Sequence, residues 1–360
     1  MEKFASKTKI IAGSGAVGEL KNLGITRMFL VTDPYFADNG TAQAIGGQAG
    51  VQALEIFRDV QPDPTVALAA EGTARLKEFA PDGIVALGGG SAMDCAKAMA
   101  YFSGSKAIFI AIPTTSGSGS EVTDFAILTH EGVKYPLVDG RLRPDVAILD
   151  DDLLRELPKS LIADAGFDVL AHALEALVAK NAGAITEALA TAAFCEVFGA
   201  LPASFRGDRS VRLRIHLAAT MAGMAFTEAG LGLCHAMSHS LGGMFHVPHG
   251  RLNAILLPAV VGCNGASATE QYARIARAAG LGGSADTVAV RNLKNALVGL
   301  RRELQLPSNL AQAGVDLCQL RQNREKLVAA TLADPCCDTN PVAVTPEMVR
   351  QILTEVSGRG

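Results

Sequence analysis

The sequence predicts a two-domain protein, with an α/β domain over residues 1–155 followed by an all-helical domain over residues 156–360. Two observations predict this division. In the first part, short runs of β-branched and aliphatic residues alternate with helical patterns, which is typical of a parallel sheet covered by helices. In the second part, strand signals nearly vanish, and Ala, Leu and Glu recur at helical spacing. The length of 360 residues and the 49% hydrophobic content suit a protein with large cores.

Four apolar runs are the predicted strands of the sheet. They are MFLVTD (28–33), GIVALGGGS (83–91), IFIAIPTTS (108–116) and DVAILD (145–150). From about residue 160, segments such as LIADAGFDVLAHALEALVAK and AITEALATAAFCEVFGAL carry the helical pattern. No repeat or low-complexity linker separates the two parts, so we expect the domains to pack closely, with a ligand-binding cleft between them.

Charge and composition argue against several functions. The chain has 32 basic and 36 acidic residues with no long run of one sign, so it lacks the basic stripe that nucleic acid binding needs. No apolar stretch approaches the length of a membrane span, and the start MEKFASKTKI lacks the apolar core of a secretory signal. The 7 cysteines form no CxxC pair, which suits a reducing compartment. We therefore expect a cytoplasmic protein with no nucleic acid or membrane partner.

A glycine-rich loop follows the second predicted strand. Gly88, Gly89 and Gly90 precede Ser91, and a helix is predicted to open there, with Ser91 and Asp94 in the spacing of a capping box. Glycines let the backbone approach a pyrophosphate, and the free amides of the helix start stabilise its charge. The loop matches neither the GxGxxG dinucleotide fingerprint nor the P-loop pattern, so an ordinary strand-to-helix turn remains an alternative.

Two further features of the first part indicate a nucleotide. The loop PTTSGSGSE (113–121) follows the third strand, and its hydroxyls are neutral donors for phosphate or ribose. Asp33 ends the first strand, where a carboxylate accepts a hydrogen bond from a ribose hydroxyl and repels a 2′-phosphate. This position favours NAD over NADP. A turn aspartate before Pro34 is the alternative.

Four of the protein's seven histidines lie in one short window, GLGLCHAMSHSLGGMFHVPHG (230–250). Imidazole titrates near neutrality and is the commonest metal ligand, so the window indicates proton transfer or metal binding. His235 and His239 stand four residues apart, on one face of a predicted helix. His249 follows Pro248, which should end that helix before another begins.

A carboxylate and an imidazole are paired earlier in the helical part. In AGFDVLAHALEAL, Asp168 and His172 are four residues apart and share a helix face, although a hydrogen-bonded surface pair is the alternative. With His235 and His249 they would make a set of ligands suited to Fe(II), Zn(II) or Mn(II), without the thiolates of a structural zinc site. Of the remaining histidines, His216 and His246 are expected to be packed and His130 to be solvated.

Five segments, in their order and at their separations, resemble the iron-containing (group III) alcohol dehydrogenase family. They are GGGSAMDCAKA, IPTTSGSGSEVT, KYPLV, DAGFDVLAHALEA and GLGLCHAMSHSLGGMFHVPHG, with a weaker match in DTNP (338–341). The resemblance covers the chain from the first strand to about residue 262. Within the family it is strongest to the short-chain alcohol dehydrogenases of propanediol and ethanolamine utilisation, the 1-propanol dehydrogenase type, which accompany bacterial microcompartments.

The resemblance implies a fold and a set of site residues. The fold is dehydroquinate synthase-like, with a Rossmann-like N-terminal domain and an all-helical C-terminal domain. The family's metal ligands fall on Asp168, His172, His235 and His249. The implied cofactor residues are Asp33, Gly88, Gly89, Gly90, Ser91, Thr114, Thr115, Ser118 and Lys134. His239 matches a histidine beside the substrate. Asp63 departs from the Asn of many relatives, and its carboxylate is expected to weaken cofactor binding.

The function that the resemblance implies is a metal-dependent, NAD(H)-linked alcohol dehydrogenase. It would interconvert a short-chain primary alcohol, 1-propanol or ethanol, and the aldehyde, with Fe(II) as the expected metal and Zn(II) as the alternative. His239 is the candidate for relaying the alcohol proton. The resemblance also implies a homodimer or larger homo-oligomer and a location beside other microcompartment enzymes. The alternatives are a glycerol dehydrogenase-like or dehydroquinate synthase-like enzyme, and a non-catalytic relative that binds metal or nucleotide.

Overall fold

The computed structural model describes residues 4–131 and 133–358. They divide into two compact units: the sheet unit, Ala5–Leu157, and the helical unit, which begins at Pro158 and includes Phe4. The predicted boundary between residues 155 and 156 lies just before this division. The sheet unit is α/β, and the described part of the helical unit contains helices and no strands, which confirms the predicted fold class.

The sheet unit contains a six-stranded parallel sheet and a two-stranded antiparallel ribbon. The strands are β1 Lys9–Ala12, β2 Arg27–Val31, β3 Ala53–Phe57, β4 Gly83–Gly88, β5 Ile108–Pro113, β6 Phe125–His130, β7 Val133–Val138 and β8 Val146–Leu149. Their order in the sheet is β1-β8-β5-β4-β2-β3, and β6 pairs with β7 in the ribbon. Because β4 and β5 are parallel neighbours, the two loops that follow them leave the same edge of the sheet.

The four predicted strands correspond to β2, β4, β5 and β8. The sequence analysis missed β1, β3 and the ribbon. The strands β1 and β3 lie at the two edges of the sheet, and most of their side chains are exposed or half-buried. They therefore lack the continuous apolar run of a central strand such as β4, which is buried throughout.

Apolar side chains fill both faces of the sheet. On one face Leu30 and Val85 pack in the same cluster as helix residues, and on the other Phe29 and Ile84 do so. The helices of this unit are α1 Pro34–Asp38, α2 Thr41–Ala49, α3 Val66–Phe79 and α4 Gly90–Ser103, with short 3-10 helices at Ala16–Asn22, Gly140–Leu142 and Asp151–Leu154.

The helical unit is built around α5, whose residues are buried along most of its length. The helices are α5 Lys159–Val178, α6 Ala184–Arg206, α7 Arg212–Ala229, α8 Leu233–Phe245, α9 His249–Asn264, α10 Thr269–Ala278, α11 Asp286–Glu303, α12 Leu317–Gln322, α13 Arg324–Leu332, α14 Cys336–Thr339 and α15 Pro346–Val356. Helices α6, α7 and α9 pack directly on α5. The central helix is therefore enclosed by its neighbours.

Helix α6 is long and apolar enough, by length and composition, to cross a membrane. The expectation that no stretch approaches that length was therefore wrong. Its many alanines make it apolar without forming one unbroken apolar run. The segments Arg209–Ala229 and α8 would also be long and apolar enough together, but they are bent by 103° where they meet. In the helical unit α6 packs against α5 and α7, as a core helix does.

Candidate functional site

One face of α5 carries three polar side chains in an apolar environment. Asp168, His172 and Glu175 are separated by four and three residues, so they line up along one side of the helix. Their exposed fractions are 9%, 4% and 2%. The ring of His172 stacks on Phe226 of α7 at a centroid distance of 4.4 Å. Buried polar groups need partners, so this face indicates a binding centre and not a surface pair.

Helices α8 and α9 carry the other predicted metal ligands. His235 lies in the first turn of α8, and His249 is the first residue of α9. Between them His246 ends α8 with a φ of 55° and is exposed, although it was expected to pack. A Cβ atom on Gly250 would lie 1.9 Å from the carbonyl oxygen of Asp164, so only glycine lets α9 start this close to α5.

Ligand atoms of Asp168, His172 and His235 lie within 4.8 Å of one another, and His249 approaches the same oxygen of Asp168. The Nε2 atoms of His172, His235 and His249 lie 3.9, 3.8 and 3.5 Å from Oδ1 of Asp168. These distances are too long for hydrogen bonds. Ligand atoms that share a tetrahedral ion at about 2.1 Å are about 3.4 Å apart, which is close to this spacing. The donor set, one carboxylate and three imidazoles, therefore fits a small divalent cation.

The electrostatics of the centre favour ligation. Burial alone would raise the pKa of Asp168, but the surrounding imidazoles hold it below its ordinary value, so the carboxylate stays charged. Burial and the neighbouring imidazoles keep the pKa of His249 well below its usual range, which leaves a neutral donor ring. For His235, burial is outweighed by Asp168 and Glu175, which raise its pKa to about 9. A cation must therefore displace a proton from His235.

Two residues that the sequence analysis did not single out support the ligands. Asn253 of α9 donates from Nδ2 to Oδ1 of Asp168 at 2.8 Å, and its own Oδ1 accepts from Oγ of Ser238 at 2.5 Å. Glu175 contacts Nδ1 of His235 at 2.6 Å. Such partners orient the ligands of metal sites. Glu175 had a sequence signal, its spacing from Asp168 and His172, whereas Asn253 had none.

His239, the candidate proton relay, lies beside the centre without joining the four ligands. Its ring stacks on that of His249 at a centroid distance of 5.2 Å. Its Nδ1 contacts Oδ2 of Asp334 at 2.8 Å. Although burial opposes it, this contact lowers the pKa of Asp334 to about 2, so the carboxylate holds a negative charge against the ring. When Nδ1 donates to Asp334, Nε2 is the nitrogen that can take up a proton.

The sheet unit brings most of the predicted cofactor residues together. The amide of Thr114 donates to the carbonyl of Gly88 at 2.9 Å and ties the ends of β4 and β5. A Cβ atom on Gly89 would lie 3.3 Å from Oγ1 of Thr115, and one on Gly90 would lie 3.4 Å from Ser118. The two loops therefore face each other across a narrow gap that exists because the glycines lack side chains.

Asp33 joins the same place. Its Oδ2 would lie 3.8 Å from a Cβ atom on Gly88, whose φ of 149° disfavours any side chain. Its Oδ1 accepts from the amide of Phe36, so it also caps α1. Asp33 therefore both caps the start of α1 and lies beside the glycine loop. This arrangement of a glycine loop, hydroxyls and a carboxylate fits the diphosphate and ribose of a dinucleotide.

The start of α4 differs from the prediction. Gly89 is the N-cap, Gly90 begins the helix, and no side chain caps it, so the predicted capping box of Ser91 and Asp94 was wrong. Ser91 lies one residue inside the helix. Asp94 instead accepts from Oγ of Ser120 at 3.2 Å. The first amides of α4 therefore have no side-chain acceptor, which suits a helix start that receives a phosphate.

A buried cation lies below the second loop. Lys97 is fully buried, and its Nζ donates to Oγ of Ser120, to Oγ1 and the carbonyl of Thr123, and to the carbonyl of Phe125, all within 3.0 Å. Burial lowers the pKa of Lys97 to about 8, against the opposing effect of Asp94. The sequence analysis missed this residue, because a lysine in a helical pattern is ordinarily exposed.

Lys134 of β7 is paired with the unusual Asp63. Their Nζ and Oδ1 atoms are 2.6 Å apart, and both side chains are partly exposed. Burial raises the pKa of Asp94 to about 6, and the charge of Lys134 is one of several smaller effects that oppose this rise. Asp63 has a φ of 56°, a conformation that Asn tolerates well and most residues avoid. The carboxylate of Asp63 is therefore paired with Lys134, the cation that the resemblance assigns to cofactor binding.

A glycine-rich parallel sheet with a histidine and carboxylate centre in a separate helical unit is typical of metal-dependent dinucleotide enzymes. Comparison with known proteins narrows this class. Residues 7–151 match the model of iron-containing alcohol dehydrogenase, and residues 162–357 match that of the Fe-containing alcohol dehydrogenase family, C-terminal. The chain belongs to the iron-containing alcohol dehydrogenase family.

Individual relatives extend over the whole chain. The 1-propanol dehydrogenase PduQ of Citrobacter freundii is 39% identical over 99% of this chain and 100% of its own. The iron-containing alcohol dehydrogenase of Thermococcus thioreducens has a TM-score of 0.90 at 34% identity, covering 98% of this chain and 99% of its own. Sulfoacetaldehyde reductase of Bifidobacterium kashiwanohense, solved in complex with NAD+, has a TM-score of 0.89 at 27% identity, with 100% of both chains covered.

Proposed function

We propose that this chain is a metal-dependent, NAD(H)-linked alcohol dehydrogenase that interconverts short-chain primary alcohols, such as 1-propanol and ethanol, with their aldehydes. The observation that carries the proposal is the convergence of three imidazole Nε2 atoms within 3.9 Å of one oxygen of Asp168. Fe(II) is the proposed metal. Zn(II) is the alternative, because imidazole and carboxylate accept both ions.

The proposed ligands are Asp168, His172, His235 and His249. When bound, the divalent ion draws electron density from the substrate oxygen, and NAD(H) carries the hydride. The four side chains would position the ion, and the burial of Asp168, His172 and His235 would keep bulk water away from that side of it, whereas His249 is partly exposed. No side chain is needed as a covalent nucleophile. The stacked Phe226 and the buried alanines and leucines of α5 make the surroundings apolar, which suits a small alcohol.

His239 is proposed to hold the proton that the alcohol loses. Asp334 keeps Nδ1 of the ring occupied, so the proton is taken up at Nε2. Changing His239 to Ala should slow turnover and alter its pH dependence while leaving bound metal in place. An unchanged pH profile would remove the relay role from His239.

The proposed cofactor site is the gap lined by Gly88, Gly89, Gly90, Thr115 and Ser118, with Asp33 beside it. The gap exists because glycines have no side chains. The backbone amides at the start of α4 have no side-chain cap and can donate to a diphosphate. The carboxylate of Asp33 supports NAD over NADP. The relatives named above include a 1-propanol dehydrogenase and a protein solved with NAD+, which supports both the alcohol and the cofactor.

The test is direct. The purified chain is stripped of metal, reloaded anaerobically with Fe(II) or Zn(II), and mixed with NADH and propionaldehyde while NADH absorbance is followed. Metal-dependent loss of absorbance, absent from an Asp168→Asn variant, is the expected result. A flat trace from protein that binds both metal and NADH would favour a non-catalytic binding protein. Assembly as a homodimer and a place beside microcompartment enzymes stay predictions.

A further inference from the structure

The start of α8 is held by side chains from distant parts of the helical unit. Its N-cap is Gly232, which has no side chain to cap the helix. The amide of Leu233 donates to Oδ1 of Asn340 at 3.1 Å, and the amide of Cys234 donates to Oε1 of Glu175 at 2.6 Å. A Cβ atom on Gly232 would lie within 3.0 Å of both acceptors, so no other residue fits there.

Glu175 also reaches a predicted metal ligand. Its Oε2 accepts from the amide of His235 at 3.3 Å and lies 2.6 Å from Nδ1 of the same ring. Glu175 and His235 are 2% and 1% exposed. A carboxylate has only acceptors, so the short contact requires the proton of the ring to be on Nδ1. Nε2, which lies 3.8 Å from Oδ1 of Asp168, is then the ring nitrogen at which a cation can take the place of a proton.

We propose that Glu175 is a positioning residue that holds His235 in the tautomer able to bind the metal through Nε2, and so sets the metal affinity of the site. The inference rests on the proposed function, because it presupposes a cation at Asp168. It adds a residue outside the four ligands. It also separates two tasks of Glu175: capping α8, which it shares with Asn340, and holding Nδ1 of the His235 ring.

The variant Glu175→Gln separates these tasks. Its amide oxygen still accepts from the amide of Cys234, but its NH₂ group now faces Nδ1 of His235. The ring then accepts at Nδ1 and carries its proton on Nε2, the atom that should bind the metal. Loss of such a partner typically weakens metal binding about 10- to 100-fold. The variant Asn340→Ala removes a cap but leaves the ring contact, so it should lower the melting temperature with little loss of metal affinity.

The experiment measures Zn(II) and Co(II) affinity of the metal-free full chain by competition with a chromophoric chelator. Wild type, Glu175→Gln, Asn340→Ala and the control Glu270→Gln, an exposed position on α10, are compared together with their melting temperatures. The expected result is an affinity loss confined to Glu175→Gln. Unchanged affinity of this variant, or an equal loss in Asn340→Ala, would overturn the proposal. A wild-type chain without metal affinity would instead refute the proposed function.

Should Glu175→Gln fail to fold, the wild-type chain tests the same claim. Zinc-loaded protein with ¹⁵N-labelled histidine, compared with a His235→Gln sample to assign the ring, reports which nitrogen carries the proton. We expect Nδ1 of His235 to be protonated and Nε2 to be bound to zinc. Zinc bound through Nδ1, or a ring without a proton on Nδ1, would overturn the proposal.

Discussion

The candidate sites of the two units differ in the role that side chains play. In the helical unit the candidate metal centre is made of side chains, and two of them, Asp168 and His235, are held by Asn253 and Glu175. In the sheet unit the candidate cofactor site is a gap that exists because Gly89 and Gly90 have no side chains. The first site should therefore fail when a side chain is removed, and the second when one is added.

The largest effect is expected at Asp168. The change Asp168→Asn removes the only carboxylate among the four proposed ligands, and with it the negative charge that faces all three imidazoles. Because the ion is proposed to stabilise developing charge by several kcal/mol, kcat should fall at least about a thousandfold. Metal content by mass spectrometry and single-turnover rates are the measurements. Retention of metal and of turnover within tenfold would contradict the side-chain origin of the site.

The stability of the sheet unit nevertheless depends on a buried side chain, that of Lys97. The change Lys97→Met leaves Asp94 without its buried cation and four acceptors without their donor. The free energy of unfolding should fall by about 3 kcal/mol, as when one partner of a buried pair is removed. Urea unfolding followed by circular dichroism measures this. Lys77→Met, at an exposed position on α3, is the matched control and should change little.

The pH dependence of the unfolding free energy, compared between wild type and Lys97→Met, shows whether burial disfavours the charge of Lys97. Burial lowers the pKa of Lys97 from 10.5 to about 8. Between these values the unfolded chain holds a proton that the folded chain has released, so rising pH favours the folded wild type. The stability advantage of wild type over Lys97→Met should therefore grow as pH rises from about 8 towards 10.5. An advantage that shrinks with rising pH would contradict a buried, destabilised charge.

Adding a methyl group tests the cofactor gap. Gly89 has a φ of −82°, which alanine adopts without strain, and its new Cβ would face Thr115 at 3.3 Å. The change Gly89→Ala should weaken NADH binding about tenfold by filling the place of the diphosphate. Fluorescence titration with NADH measures it. The control Gly47→Ala, in open space on α2, should leave NADH binding unchanged. Equal affinity in both variants would place the cofactor elsewhere.

The smallest effect is expected at Asp63. The change Asp63→Asn releases Lys134 from its ion pair and suits the positive φ of this position. NADH binding should strengthen about two- to fivefold, since partly exposed ion pairs contribute little. The gain should disappear at high salt and in Lys134→Met. Weaker binding in Asp63→Asn would mean that the carboxylate itself helps to hold the cofactor.

Local spacing made much of this molecule predictable. Asp168 with His172, and His235 with His239, were placed on shared helix faces by a separation of four residues, and both pairs lie on helices. Central strands were recognisable because burial on both faces demands an unbroken apolar run. The glycine loop was located correctly, yet its cap was not, because Asp94 is drawn to Ser120 by tertiary contact.

What escaped prediction comes from residues far apart in the chain. Asn253 lies 85 residues from Asp168, and Asp334 lies 95 residues from His239. No local pattern encodes such contacts, since they depend on how helices pack. The edge strands were missed for a different reason: a half-exposed strand needs little apolar sequence. Lys97 was missed because its burial depends on carbonyl groups that only the folded ribbon and loop supply.

The contact between Asn340 and the first turn of α8 links the order of synthesis to the order of assembly. During translation, Glu175 and His235 leave the ribosome about a hundred residues or more before Asn340, so Glu175 is the first of the two capping side chains to be available. The start of α8 therefore gains its second cap only when most of the chain has been made.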